Sequence, residues 1–138
     1  MPTLMNPYLE FPGNARQAME FYKSVFGGKL NMQTFKEFHA SQGPWQDDNI
    51  MHAELNADNG ITLMGADMVD PSASKQESNI SVSLSGEDHA ELKGYYEKLS
   101  AGGTITMPLE QAPWGDTFGL CTDQYGVKWM VNIAAPKA

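Results

Sequence analysis

The chain runs twice through the same order of periodicities. Residues 4–11 (LMNPYLEF) alternate as a strand, with Leu9 and Phe11 on one face and Asn6, Tyr8 and Glu10 on the other. Pro7 has no N–H to give, so this strand belongs at an edge or a bulge. From Ala15 the period turns helical. Ala15, Ala18, Met19, Tyr22 and Phe26 make one apolar stripe, with Asn14 at the N-cap position and Gly27-Gly28 as the stop. Strand patterns follow at 29–38, 50–55 and 61–66, separated by a loop at 39–49 and the Asn56–Gly60 turn (NADNG), whose Asn-Gly accepts positive φ. A polar connector over 67–78 leads into the second pass. There 79–85 alternates, 87–101 is helical and ends at Gly102-Gly103, and Thr104–Met107 is a short strand. Residues 117–122 and 127–133 form a hairpin about the turn Asp123–Gly126.

Landmarks recur in order. Asn6 answers to Asn79, Gly13 to Gly86, Phe21-Tyr22 to Tyr95-Tyr96, Gly27-Gly28 to Gly102-Gly103, Gly60 to Gly126 and Met64 to Met130. Such self-similarity at half the chain length marks a duplicated βαβββ module. A module this small struggles to bury both its helix stripe and the far face of its sheet, and two modules paired together solve the problem. The expected fold class is therefore α+β. One domain spans 1–138, built of module 1 (about 1–70) and module 2 (about 77–138). Helices cover the outer sheet faces, and the inner faces curve around a shared cleft.

Charge and cysteine content narrow the function classes. The 138 residues carry 9 Lys and Arg against 17 Asp and Glu, a formal net charge of −8. A groove for nucleic acid needs clustered basic residues, and anionic lipid asks for the same, so neither is an expected partner. No apolar run approaches the length of a membrane span, and the N-terminus has no basic, apolar leader. Cys121 is the one cysteine, which rules out an intrachain disulfide and suits a reducing compartment such as the cytoplasm. No Walker loop, dinucleotide fingerprint, CxxC or HExxH string is present.

Several strings are similar to one family. NPYLEFPGNARQAMEFY, IMHAEL, ITLMGAD, PLEQAPWGDTFG and TDQYGVKWMVNIA together resemble the PhnB-like branch of the glyoxalase, bleomycin-resistance and extradiol-dioxygenase (vicinal oxygen chelate) superfamily, from Leu4 to Ala134. The resemblance implies paired βαβββ modules, a homodimer and a cup-shaped pocket. It also implies four ligand places in metal-dependent members, one on the first and one on the last strand of each module. By strand order these fall on Asn6, Met64, Asn79 and Met130. Divalent metals of the Ni, Zn, Mn or Fe kind prefer imidazole and carboxylate. The expectation is therefore no metal at this site and no cofactor, with a divalent metal as the alternative. Some similar chains bear the name of demethylubiquinone methyltransferases. The sequence lacks the Gly-rich strand-to-helix turn that a methyl-donor nucleotide would use, so that activity is not expected.

Other residues carry the remaining chemistry. His52 and Glu54 lie two apart on a strand and share a face. They would serve as base and orienter, or simply as the polar face of a sheet. Asp116 would bind a cation or hydroxyl of a ligand, or fix its own turn. Tyr8 and Asn132 lie on the same faces as Asn6 and Met130. Trp114, Phe118, Met64 and Met130 would give an adaptable apolar wall for a flat organic ligand. Trp129, Val131 and Ile133 point the other way and belong to the core. Cys121 has no basic neighbour in the sequence and reads as core as well. The resulting expectation is a homodimeric protein binding a small organic molecule in a metal-free cup. The alternative is a lyase, isomerase or dioxygenase-like enzyme using a divalent metal or His52 as base.

Overall fold

The computed structural model describes residues 3–69 and 78–135. The chain divides into two compact units, residues 1–76 and 77–138. The first unit runs β1 (Tyr8–Phe11), α1 (Ala15–Phe26), β2 (Lys29–Thr34), β3 (Ile50–Asn56) and β4 (Thr62–Asp67). The second runs β5 (Val82–Gly86), α2 (His89–Ser100), β6 (Thr104–Gln111), β7 (Thr117–Thr122) and β8 (Lys128–Ile133). Each unit forms one four-stranded mixed sheet, ordered β1-β4-β3-β2 in the first and β5-β8-β7-β6 in the second. In both, the first strand pairs parallel with the last and the other pairs are antiparallel. The α+β class and the repeated βαβββ order are those that the periodicities and glycines dictate.

Alternation decides what each sheet buries. In β3, Ala53 and Leu55 are buried while His52 and Glu54 are half-buried on the opposite face. α1 lies on the buried face and contributes Ala15, Ala18, Met19, Tyr22, Val25 and Phe26 to the core. α2 buries only Leu92, Tyr96 and Leu99 against β5 to β8. Trp129, Val131 and Ile133 are core residues, at most 2 % exposed. The sheet face away from the helix stays uncovered within each unit.

The structure revises several boundaries. β1 starts at Tyr8, so Asn6 lies ahead of it. Pro7 also precedes the strand, and its carbonyl accepts from the Met64 N–H at 3.0 Å. β5 starts at Val82, which leaves Asn79 outside the sheet and exposed. Met64 therefore registers with Tyr8, and Met130 with Ser83. Gly86 ends β5 as Phe11 ends β1, so it does not correspond to Gly13. The link into α2 is one residue shorter than the link into α1, which shifts the match. β6 extends to Gln111, past Pro108, with two register shifts against β7. It is an edge strand, and an edge tolerates a residue without N–H. Asn14 occupies the N-cap position, but its side chain makes no capping bond and its Oδ1 is buried without a hydrogen-bond partner among the described residues. Asp67, assigned to the connector by its polarity, is the last residue of β4 and only 5 % exposed. Residues 70–77 of that connector lie outside the described residues.

Gly28 and Gly103 occupy equivalent places before β2 and β6. A Cβ on Gly28 would overlap the Asn56 carbonyl oxygen, and one on Gly103 the Thr122 carbonyl oxygen, at the ends of β3 and β7. The obstacle is backbone, which cannot rotate away. Gly28→Ala and Gly103→Ala are each expected to cost about 2–3 kcal/mol in urea unfolding, as overpacking at a rigid contact does. A change within experimental error would show that the chain relaxes there.

Candidate functional site

The uncovered face of the first sheet gathers most of the residues of interest. Gln33 registers with His52, Asn31 and Met64 with Glu54, and Tyr8 with Met64. These side chains consequently share the face opposite α1. The Tyr8 hydroxyl lies 3.3 Å from His52 Nδ1, and the two ring centroids are 5.9 Å apart at an interplanar angle of 32°. Burial, and secondarily the Glu10 charge, push the Tyr8 phenol above its ordinary value, so at neutral pH it is a protonated hydroxyl. Glu54 accepts from Asn56 Nδ2 at 2.9 Å. The group beside His52 is thus the Tyr8 hydroxyl, and the glutamate expected to orient the imidazole instead holds Asn56. Alternation was enough to put His52 and Glu54 on one face. The Tyr8–His52 contact joins residues 44 apart in the chain and left no local signal.

The second sheet repeats the arrangement with different chemistry. Phe118 registers with Asn132 and with Glu110, while Leu120 and Ser83 register with Met130. All lie on the face opposite α2. Asp116 accepts from the Ala135 N–H at 2.9 Å and from Asn132 Nδ2 at 3.1 Å. The first of these bonds, helped by the second, holds its carboxyl below the usual carboxylate range. Asp116 therefore fastens the chain beyond β8 and fixes the Asn132 amide, and the Ala112–Asp116 turn is closed by backbone bonds. Trp114 stands on that turn, 67 % exposed.

The donor set does not suit a divalent metal. The strand places hold Asn6 or Tyr8 with Met64, and Asn79 or Ser83 with Met130. These are amides, a protonated phenol, a hydroxyl and thioethers, all poor ligands for hard or borderline divalent ions. Among the described residues no three His, Cys, Asp or Glu side chains cluster so that they could hold an ion. No step is therefore derived through a metal. Cys121 offers no alternative nucleophile. It is 2 % exposed, and burial, reinforced by the Asp123 charge, pushes its thiol up to about 11. A thiol-reactive chromogen is expected to leave it unmodified in the folded protein and to label it fully in denaturant. Rapid labelling of the folded chain would contradict the burial.

Comparison with known proteins gives concordant results. Residues 5–131 match the profile of the Glyoxalase/Bleomycin resistance protein/Dioxygenase superfamily. Protein YjdN of Escherichia coli (strain K12) is 29 % identical over 140 residues, which cover 94 % of each chain. The crystal structure of PA1353 from Pseudomonas aeruginosa superposes with a TM-score of 0.76 at 34 % identity, covering 98 % of this chain and all of the other. A PhnB protein from Bacillus cereus, provisionally named a 3-demethylubiquinone-9 3-methyltransferase, gives a TM-score of 0.78 at 28 % identity, covering 96 % of this chain and all of the other.

Proposed function

Because the chain belongs to the glyoxalase/bleomycin resistance protein/dioxygenase superfamily, we propose that it is a homodimeric protein of the cytoplasm. It binds a small organic molecule on the uncovered sheet faces without a divalent metal. The observation that carries the reading is the pairing of Tyr8 with His52 beside Met64 and Glu54, where among the described residues no third His, Cys, Asp or Glu joins His52 and Glu54 in a cluster that could hold an ion. Two rings and a thioether give a flat ligand polarizable contact, and Glu54 favours a ligand with a positive or hydrogen-bond-donating group. Phe118, Met130 and Asn132, with Trp114 and Asp116, serve the same purpose on the second sheet, and Asn6 and Asn79 complete the set ahead of the strands. The methyl transfer in the name of the Bacillus cereus protein is not part of this reading. The links into α1 and α2, residues 12–14 and 87–88, are not the Gly-rich turn a methyl-donor nucleotide would use.

The test combines elemental analysis with a thermal-shift screen of flat organic compounds, on untagged protein purified without chelator and offered Ni, Zn, Mn and Fe. The expected result is no stoichiometric metal under any condition and at least one compound that raises the melting temperature. That rise should be lost in Tyr8→Ala and Met64→Ala. Stoichiometric metal would overturn the reading and turn attention to lyase or dioxygenase chemistry. A second reading rests on the Tyr8 hydroxyl at His52 Nδ1: in the tautomer whose Nδ1–H donates to the Tyr8 oxygen, Nε2 of the imidazole carries no proton and would serve as a general base. On that reading His52→Ala lowers a turnover by about 10²–10⁴-fold at unchanged stability. An unchanged rate removes His52 from catalysis.

A further inference from the structure

The β3–β4 and β7–β8 hairpins turn in the same way. In the first unit the Ala57 N–H donates to the Ile61 carbonyl at 2.8 Å and the Gly60 N–H to the Ala57 carbonyl at 3.3 Å. In the second the Asp123 N–H donates to the Val127 carbonyl at 2.9 Å and the Gly126 N–H to the Asp123 carbonyl at 3.0 Å. Gly60 and Gly126 end the two turns at φ 77° and 89°. The side chains differ. Asp123 pins the second turn, since its Oδ1 accepts from the Tyr125 and Val127 N–H groups. Ala57 stands in its place in the first turn and has no side-chain acceptor to offer. The residue before the glycine is Tyr125 in one turn and Asn59 in the other. The first turn therefore has the longer closing bond, lacks that pin, and sets a carboxamide beside a glycine nitrogen.

We propose that Asn59 is a modification site, at which the folded chain deamidates spontaneously through its own backbone. The Gly60 nitrogen attacks Asn59 Cγ. An N–C bond forms, the Cγ–Nδ2 bond breaks, and ammonia leaves with the proton that Gly60 gives up. Water then opens the five-membered succinimide at either carbonyl. One opening gives aspartate. The other gives isoaspartate, in which the main chain runs through the former side chain and is one methylene longer. The step needs water and no oxidant or reductant. The turn favours it. Asn59 and Gly60 are both exposed. A Cβ built on Gly60 meets no described residue within 4 Å, so that flank of the glycine faces open space. The Gly60 N–H has only a bond longer than the ordinary N–H···O range to give up. Of the eight asparagines, Asn59 alone precedes a glycine, and the others precede Pro, Ala, Met or Ile, whose side chains crowd the attacking nitrogen. Either product adds one negative charge to a chain already at −8. Isoaspartate also lengthens the link between β3 and β4, whose register sets Glu54 against Met64.

The experiment holds the full chain for several weeks at physiological temperature, in neutral and in mildly alkaline buffer, both native and in guanidinium chloride. Samples are digested, and the asparagine, aspartate and isoaspartate forms of each peptide are resolved by mass spectrometry. The native chain is expected to convert at Asn59 ahead of every other asparagine, to both products. Conversion should be faster at the higher pH, because the attacking nitrogen must lose its proton, and the converted chain should bind an anion exchanger more strongly. Ala57→Ser puts a hydroxyl acceptor at the place of the missing pin. It should slow conversion of the native chain about twofold or more, the least that one net hydrogen bond supplies, and leave the rate in denaturant unchanged. If Asn59 stays intact in the native chain while the denatured chain converts there, the turn protects the site and the proposal is overturned. Conversion at Asn59 no faster than at the other asparagines overturns it as well. An unchanged native rate in Ala57→Ser overturns the part given to the missing pin.

Discussion

Asp67→Ala is expected to destabilise the first unit by about 4 kcal/mol, because it leaves two buried backbone donors without partners and each such loss costs about 1–3 kcal/mol. The Asp67 carboxylate accepts from the Ala15 N–H at 2.9 Å and from the Ile50 N–H at 2.8 Å. Ala15 is the first residue of α1 and Ile50 the first of β3, so one side chain at the end of β4 fastens the starts of two other elements. It also places a negative charge at the helix start, where Asn14 makes no side-chain capping bond. Urea unfolding followed by circular dichroism measures the loss. Asp67→Asn keeps one acceptor and turns an NH₂ toward the other donor, so it should recover roughly half of the stability. If Asp67→Ala unfolds at the same urea concentration as the parent chain, the two N–H groups find water and the carboxylate is dispensable.

Asp123→Ala should cost about 3 kcal/mol in the second unit by the same argument. Asp123 is 3 % exposed. Its Oδ2 accepts from Trp129 Nε1 at 2.9 Å, and its Oδ1 accepts from the Tyr125 and Val127 N–H groups at 2.8 and 3.0 Å. The residue therefore closes the β7–β8 turn and anchors the largest core side chain at once. Indole fluorescence gives an independent check. Trp129 is 1 % exposed, and the variant should show it more accessible to quenchers, whereas Trp45 and Trp114 are exposed in the parent chain already. Unfolding unchanged from the parent would mean that the turn holds without its carboxylate.

These two carboxylates show where the sequence is hard to read. Helices, most strands and the duplicated order follow from local rules: apolar stripes in α1 and α2, alternation in β3, β4 and β8, and glycines at the helix ends. Asp67 and Asp123 sit in polar stretches and look like solvated turn residues. The partners of Asp67 lie 17 and 52 residues away, which no local pattern carries, whereas those of Asp123 lie two to six residues on and its burial comes from the Trp129 indole turning back to it. The site divides in the same manner. The shared face of His52 and Glu54 follows from alternation. Which group lies beside the imidazole depends on β1 pairing with β4 on one side of β3's partner, a matter of topology. β6 runs on past Pro108 because a proline terminates only a strand paired on both sides, and β6 is the edge of its sheet. Asn6 lies two residues before Tyr8 and Asn79 four before Ser83, the residues that register with Met64 and Met130, so the two asparagines are alike in type and differ in position.

The same Pro108 protects the second sheet. An exposed edge strand is a template on which another chain can lay a strand and start a fibril. Along β6 such a chain would find its ladder interrupted. Pro108 offers no donor, and the register shifts between Ile105 and Met107 and between Met107 and Glu110 bend the strand away from a straight repeat. Ile105 and Met107, about half exposed, would otherwise make this edge attractive. A proline here would act as a gatekeeper against aggregation, on a strand that has a neighbour on one side only.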